Sequence, residues 1–232
     1  MGGWRTALRD ALATLFPVRC AGCGRDDRGV CDECRAALRR PRPRAERLVA
    51  RDAAGGALEL VTATGYDERM RRLLDAYKER GRADVAAVLA PLLRTALAAL
   101  VAGRPGTPAP GSLLLVPVPS SRAARARRGY DHVPLLLQRA VPRAPVVSAL
   151  RHARRVRDQS ALGVAERERN LAGALVAHPS VAGRRVVLVD DVVTTGATLL
   201  EAARALRAAG AHPVGAIAVA RVPRIVTTPR MR

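Results

Sequence analysis

The chain has 232 residues, 49% of them apolar, enough for one domain of ordinary size with a real core and a small appendage. Lys78 is the single lysine among 40 basic residues, against 20 acidic ones, and the formal charge is +20. That balance draws polyanions through a salt-dependent field, although a GC-rich coding sequence produces the same arginine excess, and five aromatic residues leave few rings on which bases could stack.

The first residues place Trp4, Leu8, Leu12 and Leu15 at helical spacing with Arg5, Arg9 and Asp10 between them, which predicts a short amphipathic helix. Gly2 and Thr6 also fit a myristoylation pattern formally, and residues 11–18 resemble a weak secretory core, but the docked helix is the simpler account. Next comes "CAGCGRDDRGVCDEC", which holds every cysteine of the chain: Cys20, Cys23, Cys31 and Cys34. Two C-x-x-C pairs can each supply one edge of a thiolate tetrahedron, so a closed structural zinc site is expected, with two disulfides or a redox dithiol as the alternatives. Residues 1–40 are therefore read as an N-terminal helix and zinc ribbon, and 41–56, rich in Arg, Pro and Gly, as a linker.

"ALELVTATGY" from Ala57 predicts a strand, and "DERMRRLLDAYKERG" a helix with Met70, Leu73, Leu74 and Tyr77 on one face and Gly81 as its stop. A second helix is expected over 84–101, capped by Asp84. This is the longest apolar stretch, and Asp84, Pro91 and Arg94 interrupt it, so no membrane span is expected and the protein is taken as cytoplasmic. Four apolar runs follow, at 112–119, 144–150, 184–190 and 212–220, separated by helical segments. Such runs in alternation with helices predict an α/β fold, a parallel sheet flanked by helices on both faces, over residues 57–221, with 222–232 as a basic tail.

The most specific stretch is "VVLVDDVVTTGATLLEAARALRAAG", residues 186–210. Asp190 and Asp191 end an apolar strand, on the sheet edge where ligands of α/β folds sit. Thr194, Thr195, Gly196 and Thr198 then open a helix in which Leu199, Ala203 and Leu206 share a face and which stops at Gly210. Free amides at such a helix start, the positive end of its dipole, three threonine hydroxyls and a glycine suit a phosphate monoester. Adjacent acids on an extended backbone point in different directions, which argues against a pair sharing one proton and for binding a vicinal diol or hydrated Mg²⁺. No G-x-x-x-x-G-K-[ST] or G-x-G-x-x-G loop occurs.

At these residues the chain resembles the type I phosphoribosyltransferases, and more narrowly the ComF (ComFC) family of competence-associated proteins. "VPVPSSRAARARRGYDHVPLL" is similar to that family's V-P-V-P strand, Arg-rich turn and R-G-[FY]-[ND] element, here Arg128, Gly129, Tyr130 and Asp131. Gln159, Leu162, Arg167 and Asn170 match its Q-x-G-L…R-x-x-N segment, with Ala161 in place of the usual glycine, and the four cysteines match its zinc module. The resemblance implies a type I phosphoribosyltransferase fold that takes phosphoribosyl pyrophosphate with Mg²⁺. Asp190 and Asp191 would hold the ribose hydroxyls and the metal, as the catalytic pair if transfer occurs. Val193, Thr194, Thr195, Gly196, Ala197 and Thr198 would hold the 5′-phosphate, and Pro119, Ser120, Ser121 and Arg122, with Arg128 nearby, the pyrophosphate. Residues 151–170 are the lid candidate. The acceptor is open, since Thr194 stands where some purine-using relatives carry a carboxylate. The implied role is handling of DNA in competence or repair. A non-catalytic module that binds single-stranded DNA and only senses the sugar donor, and a scaffold for a competence helicase, are the rival readings. His132, His152, His178 and His212 show no spacing that suggests a site and are read as structural.

Overall fold

The computed structural model describes residues 19–26, 29–50, 56–103, 113–120, 125–126, 129–154 and 171–223. The expected N-terminal helix, Ser121, Arg122, Arg128, most of the lid candidate and all but the first two residues of the basic tail lie outside the described residues.

The main sheet has the order β1-β2-β8-β6-β3, with β7 beside β8. Its strands are β1 (Arg44–Val49), β2 (Ala57–Gly65), β3 (Leu114–Pro117), β6 (Arg185–Val189), β7 (Val192–Val193) and β8 (His212–Arg221). β2, β8, β6 and β3 are mutually parallel, and only β1 runs antiparallel, on the outside of β2. The period of two along each strand divides the apolar runs between two layers. Val61, Ala63, Leu115, Val187, Val189, Ile217 and Val219 face one helical layer. It is made of α2 (Glu68–Glu79), α3 (Ala86–Ala102) and α4 (His132–Ala140). Leu60, Leu114, Val116, Val186, Leu188, Ala216 and Ala218 face the other, formed by α5 (Ala197–Ala208). This is the mostly parallel, doubly covered sheet that the apolar runs require.

Differences from the sequence reading have local causes. Residues 44–49, read as linker, form β1: only Leu48 of that strand is buried, so its sequence carries no apolar period, and pairing with β2 supplies what propensity does not. The run 144–150 is not a full strand. Val146 makes one parallel bridge to Leu115, and the chain then enters β4 (Leu150–His152), which pairs antiparallel with β5 (Leu175–Ala177) in a separate small sheet. Asp84 does not cap α3. It sits in a short 3₁₀ turn, Ala83–Val85, and pairs with Arg82 at 2.8 Å, while Val85 takes the cap position without a side-chain bond.

α2 is entered as its sequence demands: the Asp67 carboxylate accepts from the Met70 amide, and Met70, Leu73, Leu74 and Tyr77 are buried. α3 belongs to the run Ala83–Ala102, which is apolar and long enough to cross a membrane by length and composition. More than half of that run is buried inside the protein, where it packs on β2 and β8 as a core helix. The small helix α1 (Asp32–Ala37) and the cysteines before it belong to the same core as α2 and α3, so the ribbon is docked on the sheet domain.

Candidate functional site

The four cysteine sulfurs all lie within 4.8 Å of one another, and Cys23 and Cys31 Sγ are 3.7 Å apart, close to the edge of a tetrahedron of zinc thiolates and far beyond a disulfide bond. Amides of Cys31 and Cys34 point at the sulfurs of Cys20 and Cys31 at 3.3 and 3.5 Å, as thiolate ligands require. A side chain at Gly22 would stand 2.9 Å from Cys34 Sγ, so the turn closes only around glycine. Burial opposes ionisation of Cys20, yet amide hydrogen bonds from Cys31, Cys23 and Gly22 hold its thiol down to about 6. Cys34 is pushed up by burial and by its neighbouring sulfurs, a cost that a bound cation removes. These residues can hold a metal ion.

The second site lies where β6, β3 and β8 end. Asp190 follows β6 directly, its amide bonded to the Ile217 carbonyl at 3.0 Å. Its carboxylate is partly buried, accepts from the Asp191 amide at 2.9 Å, and is pushed up to about 6 by burial, against the opposing charge of Lys78. Asp191 turns the other way. It is 1% exposed, and its Oδ1 lies 2.7 Å from Lys78 Nζ while Oδ2 lies 2.8 Å from His132 Nε2. Its own backbone is tied to β8, since the amides of Val219 and Ala220 donate to its carbonyl. The two acids therefore diverge at the bend between β6 and β7, one toward the sheet edge and one inward.

The chain then runs beside β8 as β7 and enters α5 through Gly196, whose φ of +86° is left-handed. A Cβ there would come within 2.8 Å of Leu48 on β1, so glycine is required by both conformation and contact. Thr194 is exposed, and Thr195 and Thr198 are partly so, while Val193, Gly196 and Ala197 are buried. The Thr195 hydroxyl already accepts from the Ala197 amide at 3.2 Å. The next amides, at Thr198 and Leu199, stand in the first helical turn, where no carbonyl of the helix precedes them. Pro119 and Ser120 complete this edge from β3, and Ser120 Oγ lies 3.4 Å from His132 Nδ1. Tyr130 donates to the Tyr77 carbonyl, and Tyr77 donates to the His132 carbonyl at 2.7 Å.

The structure thus brings Asp190, Thr194, Thr195, Gly196, Thr198 and Ser120 to one edge and adds Lys78 and His132, which the sequence did not mark. The uniqueness of Lys78 among 40 basic residues was the one signal available for it. His132 had none.

A family model described as the phosphoribosyl transferase domain matches residues 125–230. The DNA utilization protein YhgH of Salmonella typhi is 35% identical over 162 residues, which cover 67% of this chain and 68% of that protein. Competence protein F of Haemophilus influenzae is 34% identical over 113 residues, 46% of this chain and 49% of the relative. An orotate phosphoribosyltransferase of a Nocardioides species is 60% identical over a short stretch of 38 residues, 16% of this chain and 21% of the relative. With a parallel sheet covered by helices on both faces, the acidic strand end, the threonine-rich helix start and relatives of this breadth, the chain belongs to the ComF family of competence-associated proteins in the type I phosphoribosyltransferase superfamily.

Proposed function

We propose that the turn after β6 binds phosphoribosyl pyrophosphate with Mg²⁺, and that the protein serves the handling of DNA, as the names of its relatives suggest. The observation that carries this reading is the α5 start, which follows Asp190 at the same end of the sheet: a dianion can be met by the helix start and a diol by the carboxylate. Val193 to Thr198 would take the 5′-phosphate through amides and hydroxyls. Asp190 is the acid with access to the ribose hydroxyls, and Asp191 stands behind it. Ser120, and beyond the described residues Ser121 and Arg122, would meet the pyrophosphate. Mg²⁺, held at Asp190, would neutralise charge on that leaving group. Zinc is the ion we assign to the four cysteines, in a closed structural role.

Phosphoribosyl transfer is the reaction open to a donor held in this way. The bond from C1 to the pyrophosphate oxygen breaks through an oxocarbenium-like state, the electron pair leaves with pyrophosphate, and an acceptor bonds to C1. The second reading is a non-catalytic module in which the pocket senses the donor while a surface of net charge +20 holds single-stranded DNA.

Calorimetry with phosphoribosyl pyrophosphate and Mg²⁺ tests the common core of both readings. Saturable binding is expected, weakened about tenfold or more by Asp190→Asn. Equal affinity in that variant refutes the assignment. Release of pyrophosphate on addition of free bases separates transfer from sensing.

A further inference from the structure

The buried pair behind the site has no place in the reading above. We propose that Lys78 is a positioning residue, which through its contact with Asp191 fixes the direction of the Asp190 carboxylate and the spacing between the two ends of the donor site. The inference rests on the proposed donor site and deepens it.

Three observations carry it. First, Asp191 is 1% exposed; one oxygen pairs with Lys78 Nζ at 2.7 Å, and the other, which no donor meets in hydrogen-bond geometry, lies 2.8 Å from His132 Nε2. An anion so deeply placed is kept only by such partners, and loss of one leaves the other buried and uncompensated. Second, the same residue governs its neighbour. The Asp191 amide donates to Asp190 Oδ1 at 2.9 Å, and Asp191 Oδ1, the oxygen that faces Lys78, accepts from Val192 N at 2.6 Å. Rotation of the Asp191 side chain therefore breaks its hold on the following peptide and disturbs the backbone of Asp191, whose amide aims Asp190. Third, the clamp spans both strand ends of the site. His132, whose Nε2 meets Asp191, has its Nδ1 3.4 Å from Ser120 at the end of β3, and its carbonyl accepts from Tyr77, the residue before Lys78 on α2. The last turn of α2 thus holds the β6 end through Lys78 and the β3 end through Tyr77 and His132.

The choice of residue fits the task. With arginine at every other basic position, this one carries a compact ammonium, which a carboxylate of 1% exposure can accommodate as a point charge; a guanidinium brings five donors in a fixed plane and more volume.

The test compares two ligands in the full chain: phosphoribosyl pyrophosphate with Mg²⁺, which uses the whole site, and ribose 5-phosphate without metal, which uses the phosphate turn. Lys78→Met is expected to weaken the first about tenfold or more, as sub-ångström to ångström misplacement of a ligating group does, and to leave the second within about twofold. Loss of both ligands in proportion marks a role in folding alone and overturns the proposal, as does unchanged affinity for both. If Lys78→Met does not fold, the double variant Lys78→Met with Asp191→Leu removes both buried charges and is expected to fold, with the donor still bound weakly and ribose 5-phosphate normally. Donor affinity like that of the unaltered chain in the double variant overturns the proposal. If the unaltered chain binds no donor, the underlying site reading fails and the inference with it, a result distinct from one in which both chains bind equally.

Discussion

Asp190 shows how a side chain can oppose stability in the very place where the proposed function needs its charge. Burial raises its carboxyl from 3.8 to about 6, with the Lys78 charge only partly opposing. Between about pH 4 and 6 the folded chain therefore holds a proton at Asp190 that the unfolded chain has released, and stability from this group is present below 4 and lost as pH rises through 6. The side chain keeps some solvent contact, so the loss is on the order of 1–2 kcal/mol. Urea unfolding of the unaltered chain and of Asp190→Asn across pH 4–7.5 isolates it: the stability of the unaltered chain relative to the variant should fall through that window, while its affinity for the donor with Mg²⁺ should rise. A flat difference in stability contradicts the burial of this carboxylate. The motif residues Asp190, Thr194, Gly196 and Thr198 were readable because they are contiguous and their chemistry is local. Lys78 and His132 were not, because only the tertiary fold brings them to Asp191 from two other helices.

At the scale of elements, the strands that read well are those whose apolar runs are buried on both faces, β3, β6 and β8, and the helices that read well have one apolar stripe and a local cap or stop, α2 and α5. β1, β4 and β5 escaped because partners from elsewhere hold them. β5 is the clearest case: the Leu175 amide donates to Glu201 Oε1 at 3.0 Å, and Arg204 bridges Glu201 and the Leu175 carbonyl, so α5 supplies side-chain partners to a strand of three residues. Glu201 is 6% exposed, and its removal leaves a buried amide without an acceptor. Glu201→Ala should cost about 2–3 kcal/mol in urea unfolding, and Glu201→Gln, which keeps an acceptor oxygen, clearly less. Hydrogen exchange should quicken at residues 175–177 and at their partners 150–152, the two strands from which the lid candidate departs. Protection unchanged at those amides would show that β5 is held by apolar packing alone.

For the molecule as a whole, the decisive feature is that the cysteine ribbon is not an independent bead. Cys34 is fully buried, and Cys20, Cys31 and Val30 share one core with Met70, Leu73 and Leu74 of α2. Polar contacts fasten the same seam: Arg82 donates to the carbonyls of Gly29 at 2.8 Å and Arg19 at 3.2 Å, and Arg72 reaches the Cys23 carbonyl at 3.4 Å. The spacing of the cysteines announced a cluster able to hold a metal ion, but the seam could not be read, since arginines are everywhere in this chain and only the fold selects these two. Because α2 also bears Lys78 at its far end, the ribbon and the proposed donor site share one helix. Purified protein should contain about one equivalent of zinc, as four thiolates closing one tetrahedron require. A strong chelator should then lower the midpoint of a single thermal transition by at least about 5 °C, rather than melt a separate small unit, because the metal-free thiols leave their burial cost with the common core. Binding of the donor should weaken in the same titration. A metal-free chain that melts at the original temperature would mean that the ribbon's apolar and arginine contacts suffice without the ion, and a separate early transition would mean that the seam does not carry the coupling.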